Sequence, residues 1–220
     1  MPRPTYLPEC TLSGCDAKLQ ETSLLDFWKW AFSDLCDDDL KGIFAEWIVL
    51  RLLQIQSVRR VSWANSDIIT VGGARIEIKA SSYWQSWKLL DETGALRPTP
   101  IHPISSEAQI RFAGLKARNA TDIADIHDPR LYKSDIYIFA FQREKDIEGW
   151  NAMDLSQWEF YALPVAAVSA LGWSSISLPM LRSEQMKLCG QATLTADSLA
   201  DVVQPLIAVA ENAVALASEE

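Results

Sequence analysis

An acid-x-lysine triplet, Glu77-Ile78-Lys79, has residue types and a spacing that suit chemistry. It lies in the run 75–79, where apolar and charged residues alternate, so a β-strand would place Glu77 and Lys79 on one face. Such a triplet arises by chance about once in a chain of this composition, and 16–18 and 39–41 are further instances. Those two lie in a polar leader and at a helix start, where the helix dipole already favours an acid.

A predicted hairpin brings a second carboxylate to this triplet. Asp67 opens a predicted strand, 67–71, and the Gly72-Gly73 pair after it predicts a turn of the primed type. A hairpin places the start of one strand beside the end of the other. We therefore expect Asp67 close to Lys79 and within a few ångströms of Glu77.

Two carboxylates and the carbonyl of Ile78 would form a compact set of oxygen ligands. Such ligands suit Mg²⁺, which needs few protein ligands and keeps several waters, and we expect Mn²⁺ to substitute for it. Lys79 beside that ion would orient or deprotonate a water and offset the charge that develops on a phosphate. Glu46, on the predicted helix before the hairpin, would reach the same place as an additional ligand.

These residues resemble the motif of the PD-(D/E)XK nuclease superfamily, which has the restriction-endonuclease-like fold. The resemblance consists of Glu46 in the run 42–46, then Asp67, then Glu77-Ile78-Lys79, and it covers about residues 40–90. One departure is that no proline precedes Asp67. The resemblance implies Mg²⁺-dependent hydrolysis of DNA phosphodiester bonds. It also implies an α/β fold with an αβββαβ core and a central mixed β-sheet flanked by helices.

The same resemblance implies a role for each residue of the motif. Asp67, Glu77 and Glu46 are the expected metal ligands, and Lys79 is expected at the nucleophilic water. Gln85 follows the lysine where several members of the superfamily place a polar residue near the metal water or the DNA backbone. It is therefore expected in the same site, and a surface hydrogen-bonding role is its alternative.

Hydrophobic periodicity and turn signals predict the elements that must position these residues. Ser23 caps a predicted helix over 24–32, and a wide apolar stripe predicts a helix from Leu40 to about Gln54. The run 135–141 is nearly all apolar or aromatic, which predicts a central strand. Further strands are predicted at 59–63, 109–115 and 158–163, and further helices at 164–171, 177–189 and 195–218.

This order of elements predicts one domain of the α/β or α+β class with one central sheet. The polar residues 1–22 are expected to form a loosely ordered N-terminal arm. Residues 23–220 are expected to form a single restriction-endonuclease-like domain, of which about 178–220 is a C-terminal helical extension. The chain is 49% hydrophobic and 22% charged, which excludes collagen-like and disordered classes.

The net charge of −9 is unevenly distributed along the chain. The segment from Arg51 to Arg118 has ten basic and five acidic residues, a net of +5, so the remaining residues carry −14. Bulk acidity argues against coating of nucleic acid, but a local basic face would still bind DNA phosphates. The residues expected to form it are Lys88, Arg97, Arg111, Lys116 and Arg118.

The four cysteines indicate a reducing compartment. Cys10, Cys15, Cys36 and Cys189 lack the paired spacing of a zinc site and are expected as free thiols, although Cys10 and Cys15 would pair if oxidised. No secretory signal is recognised at the start of the chain, and charges interrupt the apolar helical stretches. We therefore expect a cytoplasmic protein that does not associate with membranes.

Other interpretations of the same residues stay open. The three hairpin residues also suit the solvated face of an edge hairpin. The chain would then be a nuclease-like scaffold that binds nucleic acid or a partner protein without cutting. Trp84 and Trp87 suit either stacking on unpaired bases or packing. A homodimer or a partner subunit would be needed to cut both strands at one site.

Overall fold

The structure of the chain is a computed structural model that describes residues 7–14, 21–56, 60–61, 64–117 and 130–218. Within these ranges the chain forms six α-helices and six β-strands. The helices are α1 (Leu24–Phe32), α2 (Asp38–Leu52), α3 (Ser86–Leu89), α4 (Val165–Ala170), α5 (Leu178–Cys189) and α6 (Leu199–Ala217). The strands are β1 (Ile68–Ile69), β2 (Arg75–Ser82), β3 (Arg111–Ala113), β4 (Ile136–Gln142), β5 (Trp158–Pro164) and β6 (Ser175–Ser177).

Four of these strands form a mixed sheet in the order β1-β2-β4-β5. β2 pairs antiparallel with β1 and parallel with β4, and β4 pairs antiparallel with β5. All seven residues of β4 are buried, as expected of a strand covered on both faces. The prediction of a central strand over 135–141 is therefore confirmed. The prediction of an α/β architecture, with helices flanking a central mixed sheet, is confirmed at this coarse level.

The central sheet separates two hydrophobic clusters. On one face, α2 and α6 pack against Ile76 and Ile78 of β2 and Ile138 of β4. On the other face, Tyr137 and Phe139 of β4 pack against β3 and α5. The sheet alternation therefore decides which side chains face the helices α2 and α6 and which face the opposite side.

The strand predicted at 109–115 is shorter than expected and does not join the central sheet. β3 pairs antiparallel with β6 in a separate two-stranded sheet. Its one buried residue, Phe112, packs edge-to-face on Phe139 with ring centroids 5.3 Å apart. The prediction of a single sheet is wrong because Phe112 covers the aromatic face of β4, which turns this strand pair into a layer over the sheet.

The αβββαβ order that the resemblance implied is matched only in part. The strand predicted at 59–63 lies partly outside the described residues, and residues 60 and 61 belong to no strand. The strand predicted at 67–71 is reduced to the two residues of β1. The described elements therefore establish the mixed sheet and its flanking helices, and no finer fold.

The turn between β1 and β2 differs from the predicted primed turn. Gly73 has φ +89°, whereas Val71 and Gly72 do not have positive φ. The Gly73 N–H donates to the Thr70 carbonyl at 3.0 Å, and the Thr70 N–H donates to the Ala74 carbonyl at 2.9 Å. The first of these bonds closes a four-residue turn with Val71 and Gly72 at its central positions. A primed turn needs positive φ at a central position, which a β-branched residue such as Val71 resists. The predicted primed turn is therefore wrong, and the residue with positive φ is Gly73, which follows the two central residues.

The C-terminal helices belong to the core of the domain. Leu199, Val203 and Ile207 of α6 are buried in the cluster that covers the isoleucines of β2. The carboxylate of Glu211 in the same helix accepts a hydrogen bond from the hydroxyl of Thr70. The predicted extension therefore holds the β1–β2 hairpin in place.

Among the described residues, one helix, α6, is long and apolar enough to cross a membrane by length and composition. Its 19 residues include two acids, Asp201 and Glu211. Charged residues therefore interrupt the apolar sequence of this helix at two positions. The expectation that the protein does not associate with membranes stays a prediction.

We predict that Gly73→Ala lowers the free energy of unfolding by about 1–3 kcal/mol. An L-residue is strained at φ +89°, and a Cβ at this position would lie 3.1 Å from Val214 Cγ1. The measurement is equilibrium denaturation in urea.

Two other glycines provide controls for this substitution. Gly94 has φ +81° and open space where an added Cβ would lie, so Gly94→Ala reports backbone strain without the contact. Gly42 lies within α2 with open space around it, so Gly42→Ala should raise stability by about 0.5–1 kcal/mol. Equal losses for Gly73→Ala and Gly94→Ala would show that the Val214 contact is unimportant.

Candidate active site

Asp67 lies immediately before β1, at the edge of β2. Its Oδ2 accepts a hydrogen bond from the Ile78 N–H at 2.7 Å. Because β1 has only two residues, its backbone ladder ends before Ile78, and the carboxylate takes the acceptor position there. In an antiparallel pair the N–H and C=O of one residue point to the same neighbour. The Ile78 carbonyl therefore faces the edge at which Asp67 lies, and its role as a metal ligand stays a prediction.

Glu77 and Lys79 project from the face of β2 opposite Ile76 and Ile78, which confirms the predicted alternation. Lys79 Nζ lies 2.5 Å from Glu77 Oε1, and both side chains are half-buried. The loop after β3 approaches this pair, since a Cβ on Gly114 would lie 3.6 Å from Lys79 Nζ. The acid and the lysine therefore form one ion pair beneath that loop.

Glu46 is held by an arginine that sequence reasoning did not connect with it. Arg60 Nε lies 2.5 Å from Glu46 Oε2, and Arg60 Nη2 lies 2.8 Å from Glu46 Oε1. Both carboxylate oxygens thus accept bonds from one guanidinium, a strong bidentate arrangement. Glu46 is near the edge at which Asp67 lies, but its charge is already paired.

Burial raises the pKa of all three carboxylates above the ordinary range. For Asp67, burial outweighs the bond from the Ile78 N–H and the positive charges of Lys79 and Arg60. For Glu77, burial acts first and the negative charge of Asp67 adds to it, against the lowering effect of Lys79. For Glu46, burial outweighs the bond from Arg60. Desolvated carboxylates that repel one another favour a bound cation.

Carboxylate and carbonyl oxygens are donor types that suit Mg²⁺, and the described residues group fewer carboxylates than predicted. No group of three or more His, Cys, Asp or Glu side chains in the described ranges is arranged to hold a metal ion. Asp67 and Glu77 interact electrostatically, and the Ile78 carbonyl faces the edge where Asp67 lies. One or two carboxylates are enough for Mg²⁺, because waters and phosphate oxygens complete its octahedron. Glu46 would join only after Arg60 releases it.

Two buried serines support the site, and sequence reasoning missed both. Ser134 Oγ lies 2.9 Å from Ser66 Oγ and 3.5 Å from Glu77 Oε2. Both serines are almost fully buried. The pair ties the segment before Asp67 to the segment that leads into β4. Only its position next to Asp67 could have identified Ser66 from the sequence. Ser134 is 57 positions beyond Glu77, and no sequence pattern connects it with the site.

The structure places Gln85 after the end of β2. It is the residue before α3, beyond the carboxyl end of β2. Ser82 already lies about 10 Å from Lys79 along the strand, at a rise of about 3.3 Å per residue. The backbone carbonyl of Gln85 accepts a hydrogen bond from the Lys88 N–H at 2.9 Å. The role of Gln85 beside the carboxylates stays a prediction.

The basic residues expected to bind DNA have varied surroundings. The Lys88 ammonium donates to the His102 carbonyl at 2.9 Å, and the Lys116 ammonium donates to the Gly172 carbonyl at 2.8 Å. Arg97 is half-buried, whereas Arg111 is exposed on β3. Arg118 lies outside the described residues. Lys88 and Lys116 are thus used by the protein itself, and the basic face stays a prediction.

The two tryptophans after β2 separate into one packed and one exposed side chain. Trp84 is buried, and its indole N–H donates to the Lys145 carbonyl at 3.0 Å, which confirms the packing interpretation for this residue. Trp87 is exposed, with Lys88 Nζ 5.1 Å from its ring centroid. Only Trp87 of this pair is accessible to a base.

No protein-family model, curated protein or solved structure was found to match this chain. The function must therefore be inferred from the geometry of Asp67, Glu77, Lys79 and Glu46 and from the resemblance of their order to the nuclease motif.

We predict that Glu77→Gln raises the unfolding temperature at pH 8. Because the pKa of Glu77 is raised in the folded state, the folded chain binds its proton more tightly than the unfolded chain does. Ionisation therefore lowers stability as pH rises from the unfolded pKa through the folded pKa, and the cost is complete above both. Each kcal/mol of stability that the substitution restores raises the unfolding temperature by about 2–4 °C. Differential scanning calorimetry measures this shift.

The control is Glu184→Gln, which removes the acid of the Lys187–Glu184 ion pair on α5. We expect no rise in unfolding temperature for this variant. The gain for Glu77→Gln should disappear near pH 3, where the carboxyl is protonated in both states. A gain that persists at that pH would contradict the electrostatic explanation.

Proposed function

We propose that the chain is a Mg²⁺-dependent nuclease of the restriction-endonuclease-like fold that hydrolyses DNA phosphodiester bonds. The observation that carries the proposal is the position of Asp67. Its carboxylate is bonded to the β2 backbone between the two side chains of the acid-x-lysine pair, Glu77 and Lys79. The raised pKa of each carboxylate supports the proposal, because desolvated acids at one edge favour a divalent cation.

Each residue has a defined task in this proposal. Asp67 and Glu77, with the Ile78 carbonyl, hold Mg²⁺, and Glu46 is an auxiliary ligand. When bound, Mg²⁺ supplies Lewis-acid stabilisation of the phosphate charge and a lower pKa for water. Lys79, an ammonium held by Glu77, orients the attacking water and donates to a phosphate oxygen as negative charge develops there. DNA approaches through a local basic face in the cytoplasm, and a dimer would cut both strands.

We predict Mg²⁺-dependent cleavage of DNA by the wild type and a loss of at least about a hundredfold in Glu77→Gln and Lys79→Met. Metal binding should separate the two roles. Mn²⁺ titration should show binding by the wild type and by Lys79→Met, but not by Glu77→Gln or Asp67→Asn. Single- and double-stranded DNA serve as parallel substrates.

The matched controls are Glu184→Gln and Lys187→Met, which alter a similar ion pair on α5. Both should cut at the wild-type rate. Equal cleavage by the wild type, Glu77→Gln and Lys79→Met would overturn the nuclease assignment.

A second candidate function is a nuclease-like scaffold that binds nucleic acid or a partner protein without cutting. The bidentate pairing of Glu46 with Arg60 favours it, because this contact removes one of the three predicted carboxylate ligands. A scaffold would show no carboxylate-dependent Mn²⁺ binding, so the titration described above distinguishes the two functions.

A further inference from the structure

A pocket of about 570 Å³ adjoins the candidate site. Its volume is typical of sites for small organic ligands. Apolar side chains form most of its wall, among them Ile43 and Leu50 of α2 and Ile68 of β1. Asp67, the residue bonded to β2 at the candidate metal site, also lines it. The pocket is therefore an apolar space that opens directly onto a proposed catalytic carboxylate.

Trp47 gives this pocket an aromatic wall. The indole is 48% exposed although it stacks on Phe44, with ring centroids 5.7 Å apart and planes at 22°. The guanidinium of Arg51 lies 5.6 Å from the indole centroid. Planar groups are thus stacked along one side of α2, and a further planar ring can extend this stack or exchange with the guanidinium of Arg51.

The charges around the pocket fit a ligand that is part aromatic ring and part phosphate. Arg51 and Arg60 line it together with Glu46 and Asp67, and the guanidinium of Arg60 is paired with Glu46. Guanidinium groups bind phosphate oxygens and also stack on flat rings. A purely aliphatic ligand would use neither property.

We propose that this pocket binds an unpaired nucleobase of a single-stranded nucleic acid, next to the phosphate that the candidate site beside Asp67 would hold. This inference rests on the proposed nuclease function and specifies its substrate. A base inside a duplex is paired and is stacked on both faces. It therefore cannot enter a pocket on the protein surface without leaving the duplex. The site therefore selects single strands, flaps or unpaired ends.

The test is fluorescence polarisation with a labelled short oligothymidylate and a labelled hairpin duplex, both in EDTA so that no cutting occurs. The wild type should bind the single strand more tightly than the duplex. Trp47→Ala should weaken single-strand binding about tenfold, and Trp47→Phe, which keeps a stacking ring, should restore most of it. An oligouridylate arm distinguishes DNA from RNA as the source of the base.

Trp173→Ala is the matched control, because Trp173 is 46% exposed and does not line the pocket. It should bind as the wild type does. Ile69→Glu is a second variant at an exposed position of the pocket, and its carboxylate should repel the phosphate. It keeps the test decisive if Trp47→Ala does not fold.

Wild-type binding by Trp47→Ala and Ile69→Glu, an equal loss in Trp173→Ala, or equal affinity for duplex and single strand would overturn the inference. The proposed function fails separately, through absence of Mg²⁺-dependent cleavage by the wild type. A protein that cuts DNA without dependence on Trp47 refutes the pocket alone. A protein that binds single strands through Trp47 without cutting refutes the nuclease alone.

Discussion

The parallel pairing of β2 with β4 is the constraint on which the candidate site depends. It extends over seven residue pairs, from Ile76 to Ser82 of β2, so one edge of β2 is fully used. Because β1 supplies only two residues to the other edge, the N–H of Ile78 bonds to the carboxylate of Asp67 instead of to a strand. A longer β1 would satisfy β2 with backbone groups and leave no place for that carboxylate.

The electrostatics of the site follow from this arrangement. Asp67 and Glu77 are partly withdrawn from water, and the negative charge of Asp67 further disfavours ionisation of Glu77. The positive groups nearby, Lys79 and Arg60, offset this cost only in part, since the pKa of both acids is still raised. Unrelieved repulsion of this kind lowers stability unless a cation binds, and it is common at functional sites. The local charge therefore matters more here than the net charge of −9.

Local patterns made part of the structure predictable from sequence. The alternation of residues 75–79 identified the two faces of β2, because a strand buried on one face alternates apolar and polar residues. The apolar run 135–141 identified the central strand, because a strand buried on both faces is apolar throughout. Contacts between distant segments left no such trace. The Ser134–Ser66 bond joins residues 68 positions apart, and the β3–β6 pairing depends on how Phe112 covers the sheet. The Arg60–Glu46 ion pair depends on the path of the chain after α2, which hydrophobic periodicity does not predict.

That pair also bears on how a metal would be held. With both oxygens of Glu46 bonded to Arg60, the proposed site offers Asp67 and Glu77 as its carboxylates, and Mg²⁺ with so few protein ligands relies on substrate phosphates to complete its shell. A phosphate arriving beside Arg60 would compete with Glu46 for the guanidinium, since both are anions that it binds in the same bidentate manner. Under the proposed function, substrate would then both complete the metal shell and release the third acid, and metal and nucleic acid binding would reinforce each other.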